Sequence, residues 1–174
     1  MDALALAGIP AGYRRVEPRA GYEHDPVPGG GALLLCGPVD SGKTMLACAI
    51  AAAHVGDMRV RFAGSADLMA RMASTYGTGA TEGAVLAPYL SCDLLVLDDL
   101  GKEPTDQRTL SRLFRLVDGR YSERRASIFT SQFGPSALAA RLARHGDAET
   151  AEAIASRLSP ARGWCVTVRT GARA

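Results

Sequence analysis

The chain has 174 residues, the size of one ordinary domain, and 47% of them are hydrophobic, enough for a real core. Its formal net charge of +2 is too small to argue for a nucleic-acid partner by itself, and nothing in the composition points to disorder or a collagen-like repeat. Of the 20 basic residues only Lys43 and Lys102 are lysine, an arginine bias that reads as GC-rich codon usage before it reads as selection for phosphate contacts. Cys36, Cys48, Cys92 and Cys165 show no CxxC spacing, and three of them sit in apolar runs. That pattern fits buried free thiols in a reducing cytoplasm, with neither a disulfide nor zinc. The opening MDALALAGIP lacks a basic n-region and is a poor signal peptide, and no apolar run approaches the roughly 18 residues of a membrane span.

Short apolar runs then alternate with helical patterns. Residues 1–31 form a short segment leading into the core, with VPGGG (27–31) as a flexible lead-in. ALLLC (32–36) is a strand, and Gly42 through His54 follows as an Ala-rich helix. MRVRFA (58–63) alternates like a strand; SADLMARMASTY (65–76) places Leu68, Met69, Met72 and Tyr76 at helical spacing. GTGATEG (77–83) is a loop. DLLVLDD (93–99) has the continuous apolar run of a strand covered on both faces. TLSRLFRLVDGRY (109–121) is an amphipathic helix, ASIFTSQ (126–132) a strand, 135–146 and 147–158 two helices, and WCVTV (164–168) a last strand. Strands separated by helices imply parallel pairing through right-handed crossovers, so the expected class is α/β, one domain spanning 32–174.

GPVDSGKT (37–44) fits GxxxxGK[ST] and lies between a strand and a helix, the context that phosphate-binding loop requires. Its glycines let backbone N–H groups curl around a phosphate, and the following helix points its positive end at it. A nucleotide would rest on Gly37, Pro38, Val39, Asp40, Ser41, Gly42, Lys43, Thr44 and Met45. Lys43 would reach the β- and γ-phosphates of ATP, and the Thr44 hydroxyl would bind Mg²⁺. A glycine turn that binds nothing is the alternative.

LLVLDD (94–99) ends a buried strand in two carboxylates, which is costly unless they face a cation or ligand. Asp98 would support Mg²⁺ and Asp99 would polarise the attacking water. With 55 residues between Lys43 and Asp98, the strand carrying Asp98 can lie beside the one before the loop. An acidic helix cap is the competing explanation. IFTSQF (128–133) ends a strand in Thr130, Ser131 and Gln132, polar groups positioned either to touch the γ-phosphate or to make a turn before Pro135. Arg157, in ASRL, is on spacing alone a solvated helix-end residue or a catalytic one.

Taken in order, GPVDSGKT, LLVLDDLG, RYSERRASIFTSQ and AEAIASRL, preceded by GIPAGYR (8–14), resemble the AAA+ ATPases of the DnaC/IstB group, helicase loaders and transposon helper ATPases. The resemblance covers about residues 8–173. It implies a P-loop NTPase of the αβα sandwich type with a five-stranded parallel sheet and no large lid domain. It implies ATP and Mg²⁺ as cofactors and slow turnover, stimulated by assembly or DNA, because Asp99 stands where many members have Glu. It implies sensor 1 at Ser131 or Gln132, an arginine finger acting in trans at Arg157, and a late sensor arginine at Arg173, although the serine that usually precedes it is missing. It implies an ATP-dependent homo-oligomer, single-stranded DNA contacts near Tyr76 and Arg108, and a partner helicase or transposase. The alternatives are a small-molecule P-loop kinase and a non-hydrolysing ATP-gated adaptor.

Overall fold

A computed structural model describes residues 2–171 of the chain. Five strands, β1 (Ala32–Cys36), β2 (Val60–Gly64), β3 (Leu94–Leu100), β4 (Ala126–Ser131) and β5 (Cys165–Arg169), form one parallel sheet in the order β2-β3-β4-β1-β5. Among the described residues the helices are α1 (Ala3–Leu6), α2 (Lys43–Ala52), α3 (Ser65–Ala73), α4 (Glu82–Ser91), α5 (Gln107–Ser122), α6 (Pro135–Leu142) and α7 (Ala148–Arg157).

The strands alternate between two cores, as period-two side chains must when both faces are covered. Leu34, Leu95, Leu97 and Phe129 pack under α3 to α7. Leu33, Leu35, Leu94, Val96 and Ile128 face α2 and the N-terminal segment. The result is the three-layer α/β arrangement of a P-loop NTPase with a five-stranded parallel sheet.

Three expectations change. β3 does not lie beside β1; β4 sits between them and pairs with both. Sequence spacing permits either order, because a crossover helix carries the chain over one strand as easily as none. The segment ahead of β1 is part of the fold: Ile9 is fully buried, and the Ala7 carbonyl accepts the Phe62 N–H (2.7 Å) along the edge of β2. VPGGG is likewise held, with the Gly30 carbonyl accepting the Trp164 indole N–H (3.2 Å) and Gly30 (φ 59°) so close to Arg124 that a Cβ would lie 2.4 Å from its carbonyl oxygen. Finally, α4 begins at Glu82, inside the stretch 77–83 expected as a loop, and runs on through a region with no helical signal. Thr81 caps it through the Ala84 N–H (3.1 Å), but Pro88 inside it reads as a breaker and its buried stripe is weakly periodic.

Candidate nucleotide site and its groove

The site is assembled at the carboxyl ends of β1, β3 and β4, where an open parallel sheet binds ligands. β1 runs into Gly37, and α2 begins at Lys43 after Gly42 adopts φ 82°. Lys43 is buried, its Nζ donating to the carbonyls of Gly37 (3.0 Å) and Pro38 (2.5 Å) and to Ser41 Oγ (3.2 Å). The ammonium thus lies inside the curl of backbone that a phosphate would share. Val39 and Met45 stand at the loop surface, 61% and 40% exposed.

In a regular strand adjacent residues point to opposite faces, so Asp98 and Asp99 should diverge. They do not, because the β3–β4 register shifts between Leu97 and Leu100 and Asp99 takes φ 59°. A bulge of this kind re-aims side chains at a strand end. Asp98 Oδ1 accepts both the Thr44 hydroxyl (2.8 Å) and the Thr130 hydroxyl (2.6 Å). Thr130 in turn accepts the Asp99 N–H (2.9 Å), which fixes the turned backbone. Asp99, Lys102 and Gln132 line a cavity of about 480 Å³ together with Tyr13, Lys43 and Thr44. Lys102 Nζ donates to Asp99 Oδ2 at 2.7 Å, an exposed ion pair at the cavity mouth.

Burial pushes the Asp98 carboxyl above its ordinary range; the Thr130 and Thr44 hydroxyls pull it back, and Asp99 pushes it up again. A half-buried carboxylate short of positive charge, beside a threonine hydroxyl, is a hard oxygen donor set of the kind Mg²⁺ takes. The residues present fit that ion. When bound, Mg²⁺ would neutralise charge on the β- and γ-phosphates.

The three polar residues ending β4 part ways. Thr130 faces Asp98; Ser131 is fully buried, donating to the Leu100 carbonyl (2.6 Å) and accepting the Phe133 N–H (3.1 Å); Gln132 is exposed and lines the cavity. Thr130 was visible only as one of three adjacent polar residues, and strand alternation decides among them. Thr170 carried no signal at all. Just past β5, its N–H donates to the Cys36 carbonyl (2.8 Å) and its hydroxyl meets Ser41 Oγ at 2.6 Å. Gly37 has to be glycine there, since a Cβ would lie 2.4 Å from the Thr170 carbonyl oxygen. A second cavity of about 590 Å³, lined by Val16, Pro18, Met45, Leu46, Ala49 and Thr170, adjoins the first at Gly42 and Met45.

The remaining candidates lie apart from the loop. Arg157, at the end of α7, donates from Nε to Asp118 Oδ1 (2.8 Å), pairs with the same oxygen through Nη2 (2.7 Å), and stacks over Phe114 and Tyr121. Tyr76 is 93% exposed, and with Arg108 it lines a groove of about 1040 Å³ between α3 and α5. Arg173 lies outside the described residues. No helix among the described residues is long and apolar enough to cross a membrane.

The family model for IstB-like ATP binding proteins matches residues 27–169. The chain is 36% identical over 128 residues to a putative insertion sequence ATP-binding protein of Sinorhizobium fredii, y4pL, covering 72% of this chain and 50% of that protein. A second such protein of the same organism, y4uH, is 32% identical over 100 residues, covering 57% and 40%. The chain therefore spans about half the length, or less, of these curated relatives. Among solved structures it is similar to the DnaC helicase loader (TM-score 0.66, 24% identity, 85% of this chain and 82% of that one). It is similar to DnaI (TM-score 0.64, 25% identity, 97% and 82%) and to AMPPCP-bound DnaA from Aquifex aeolicus (TM-score 0.63, 22% identity, 86% and 41%). With the P-loop, the paired aspartates and the sheet order already in place, these matches put the chain in the IstB-like ATP-binding protein family, as an AAA+ domain of the DnaC/IstB type.

Proposed function

We propose that this protein binds ATP with Mg²⁺, hydrolyses it slowly, and uses the nucleotide state to govern binding of single-stranded DNA and of a partner helicase or transposase in the cytoplasm. The observation that carries the reading is the Thr44–Asp98–Thr130 hydrogen-bonded cluster beside buried Lys43, with Asp99 and Gln132 in the same cavity. The phosphates would lie over Gly37–Thr44, and the adenosine would extend past Met45 into the cavity walled by Val16, Pro18, Leu46 and Ala49. Lys43 holds the phosphate charge, Asp98 holds the Thr44 hydroxyl in place, and Asp99 orients and polarises water. Gln132 is the polar group placed to sense the γ-phosphate, while Ser131 positions the turn beneath it.

Arg157 acts in trans within an ATP-dependent homo-oligomer. In the subunit its guanidinium is held by Asp118, so it has to exchange that partner for a neighbour's phosphate. The Lys102–Asp99 pair supports a low basal rate, because the carboxylate that would polarise water is already engaged. DNA contacts come from Tyr76 and Arg108, which face one groove, with phosphates paired to arginine and bases stacking on the tyrosine ring.

The direct test measures ATP binding and turnover with and without single-stranded DNA, for wild type and Lys43→Ala. Binding and slow turnover in wild type, both lost in the variant, support the reading. Tight binding with no turnover under any condition would leave a nucleotide-gated adaptor. Phosphate transfer to a small acceptor would make the protein a kinase.

A further inference from the structure

The groove beside Tyr76 has a charge arrangement that single-stranded DNA binding alone does not explain. α5 carries Arg108, Arg112 and Arg115, spaced four and three apart and so on one helical face. All three line the groove, and Tyr76 stands opposite. The outer two arginines are exposed. The middle one is not: the Arg112 side chain is 14% exposed, its Nε (2.9 Å) and Nη2 (2.5 Å) both donating to Glu82 Oε1. Glu82 opens α4, next to the capping Thr81, and its own side chain is 39% exposed.

We infer that Glu82 is an internal stand-in for a phosphate: it occupies Arg112, and a nucleic-acid strand gains that arginine only by displacing it. The inference rests on the reading of this groove as a single-stranded DNA site. A carboxylate and a phosphodiester both offer the guanidinium a charged oxygen, so the two compete for the same donors. The neighbouring arginines hold the Glu82 carboxyl below its ordinary range, Arg112 foremost and Arg115 and Arg108 behind it, so the competitor stays charged.

Two consequences follow from ion exchange. Glu82 weakens binding, because one contact is made at the expense of another. It also flattens the salt dependence, because the cation released from the phosphate that Arg112 takes is offset by one that gathers at the freed Glu82 carboxylate. Each single-strand phosphate contact adds about 0.7 to the slope of log affinity against log salt.

The test measures binding of a fluorescent oligo(dT) to the full chain with Mg²⁺ and a non-hydrolysable ATP analogue across a salt series. Glu82→Gln keeps the side chain's size and leaves Thr81 to cap α4. It should bind about 10-fold more tightly at low salt and steepen the slope by about 0.7. Asp67→Asn, which removes the same charge from an exposed position on α3, should leave the slope unchanged. Adding Arg112→Ala to Glu82→Gln should abolish the gain. Equal affinity and slope for Glu82→Gln and wild type, or an equal gain from Asp67→Asn, overturns the stand-in role while leaving the groove as a DNA site. If no variant binds oligo(dT) at low salt, the DNA reading itself fails and the inference with it. A glutamate-rich peptide that binds where oligo(dT) does not would assign the arginine row to an acidic protein segment instead.

Discussion

Asp98→Asn should make the protein more stable and less able to bind Mg²⁺-ATP. Asp98 Oδ1 accepts two hydroxyls, from Thr44 at 2.8 Å and Thr130 at 2.6 Å, and an asparagine oxygen in the same place accepts both. What disappears is the charge. Burial raises the Asp98 pKa from its ordinary 3.8, so the folded state disfavours the carboxylate relative to the unfolded chain. The sign follows from proton linkage: this group costs nothing below 3.8, and its cost grows to a constant as pH rises through the raised folded value. Above the raised folded value that cost is fully present, and removing it should add about 0.5–2 kcal/mol, the range common to single stabilising substitutions. For a chain of this length the gain corresponds to a rise in Tm of about 1–8 °C. The difference between variant and wild type should shrink as pH falls toward 4. Nucleotide binding should move the other way, with Mg²⁺-dependent ATP affinity falling about 10–100-fold, as for loss of a group that orients a metal ligand. Thermal melts across pH, paired with titration of a fluorescent ATP analogue in Mg²⁺ and in EDTA, read both. A variant that melts lower than wild type and binds Mg²⁺-ATP equally well would contradict both the cost assigned to the buried charge and the role of Asp98 at the metal.

Asp99→Asn should keep ATP binding and lose about 100-fold or more in turnover, the range for removing a general base; single-turnover hydrolysis checks it. Tyr76→Ala should fold like wild type, because the side chain is 93% exposed, and should weaken oligo(dT) binding by about 1–3 kcal/mol if a base stacks there. Arg157→Ala should retain ATP binding and lose most turnover, and mixing it with Lys43→Ala should partly restore hydrolysis, since some interfaces then pair an intact loop with an intact arginine. Wild-type turnover by Arg157→Ala, with no restoration in mixtures, would reduce Arg157 to the partner of Asp118 in the α5–α7 packing.

The phosphate-binding loop was legible because its chemistry is local: Gly37, Gly42 and Lys43 must be those residues wherever the loop occurs, and the flanking strand and helix show in the hydrophobic pattern. The two aspartates were legible as a pair, but not the bulge that sets Asp99 in the cavity while Asp98 meets Thr44, because Asp99 at φ 59° is stabilised by Thr130 from a strand 31 residues away. Strand order was out of reach for the same reason: nothing in the crossovers says that β4 slips between β1 and β3. Helix α4 was hidden by Pro88, whose lost hydrogen bond the surrounding packing tolerates. Thr170 and Glu82 are single residues whose roles arise from contacts 129 and 30 positions away, with Ser41 and Arg112, and no local pattern announces such pairs.

One titration reads the coupling between the nucleotide and the DNA groove: oligo(dT) affinity of the wild-type chain and of Lys43→Ala, each with and without Mg²⁺ and a non-hydrolysable ATP analogue. The analogue should tighten DNA binding by wild type, in a salt-sensitive way, and do nothing for Lys43→Ala. Affinity that is the same with and without nucleotide, or that rises equally in the variant, would contradict it.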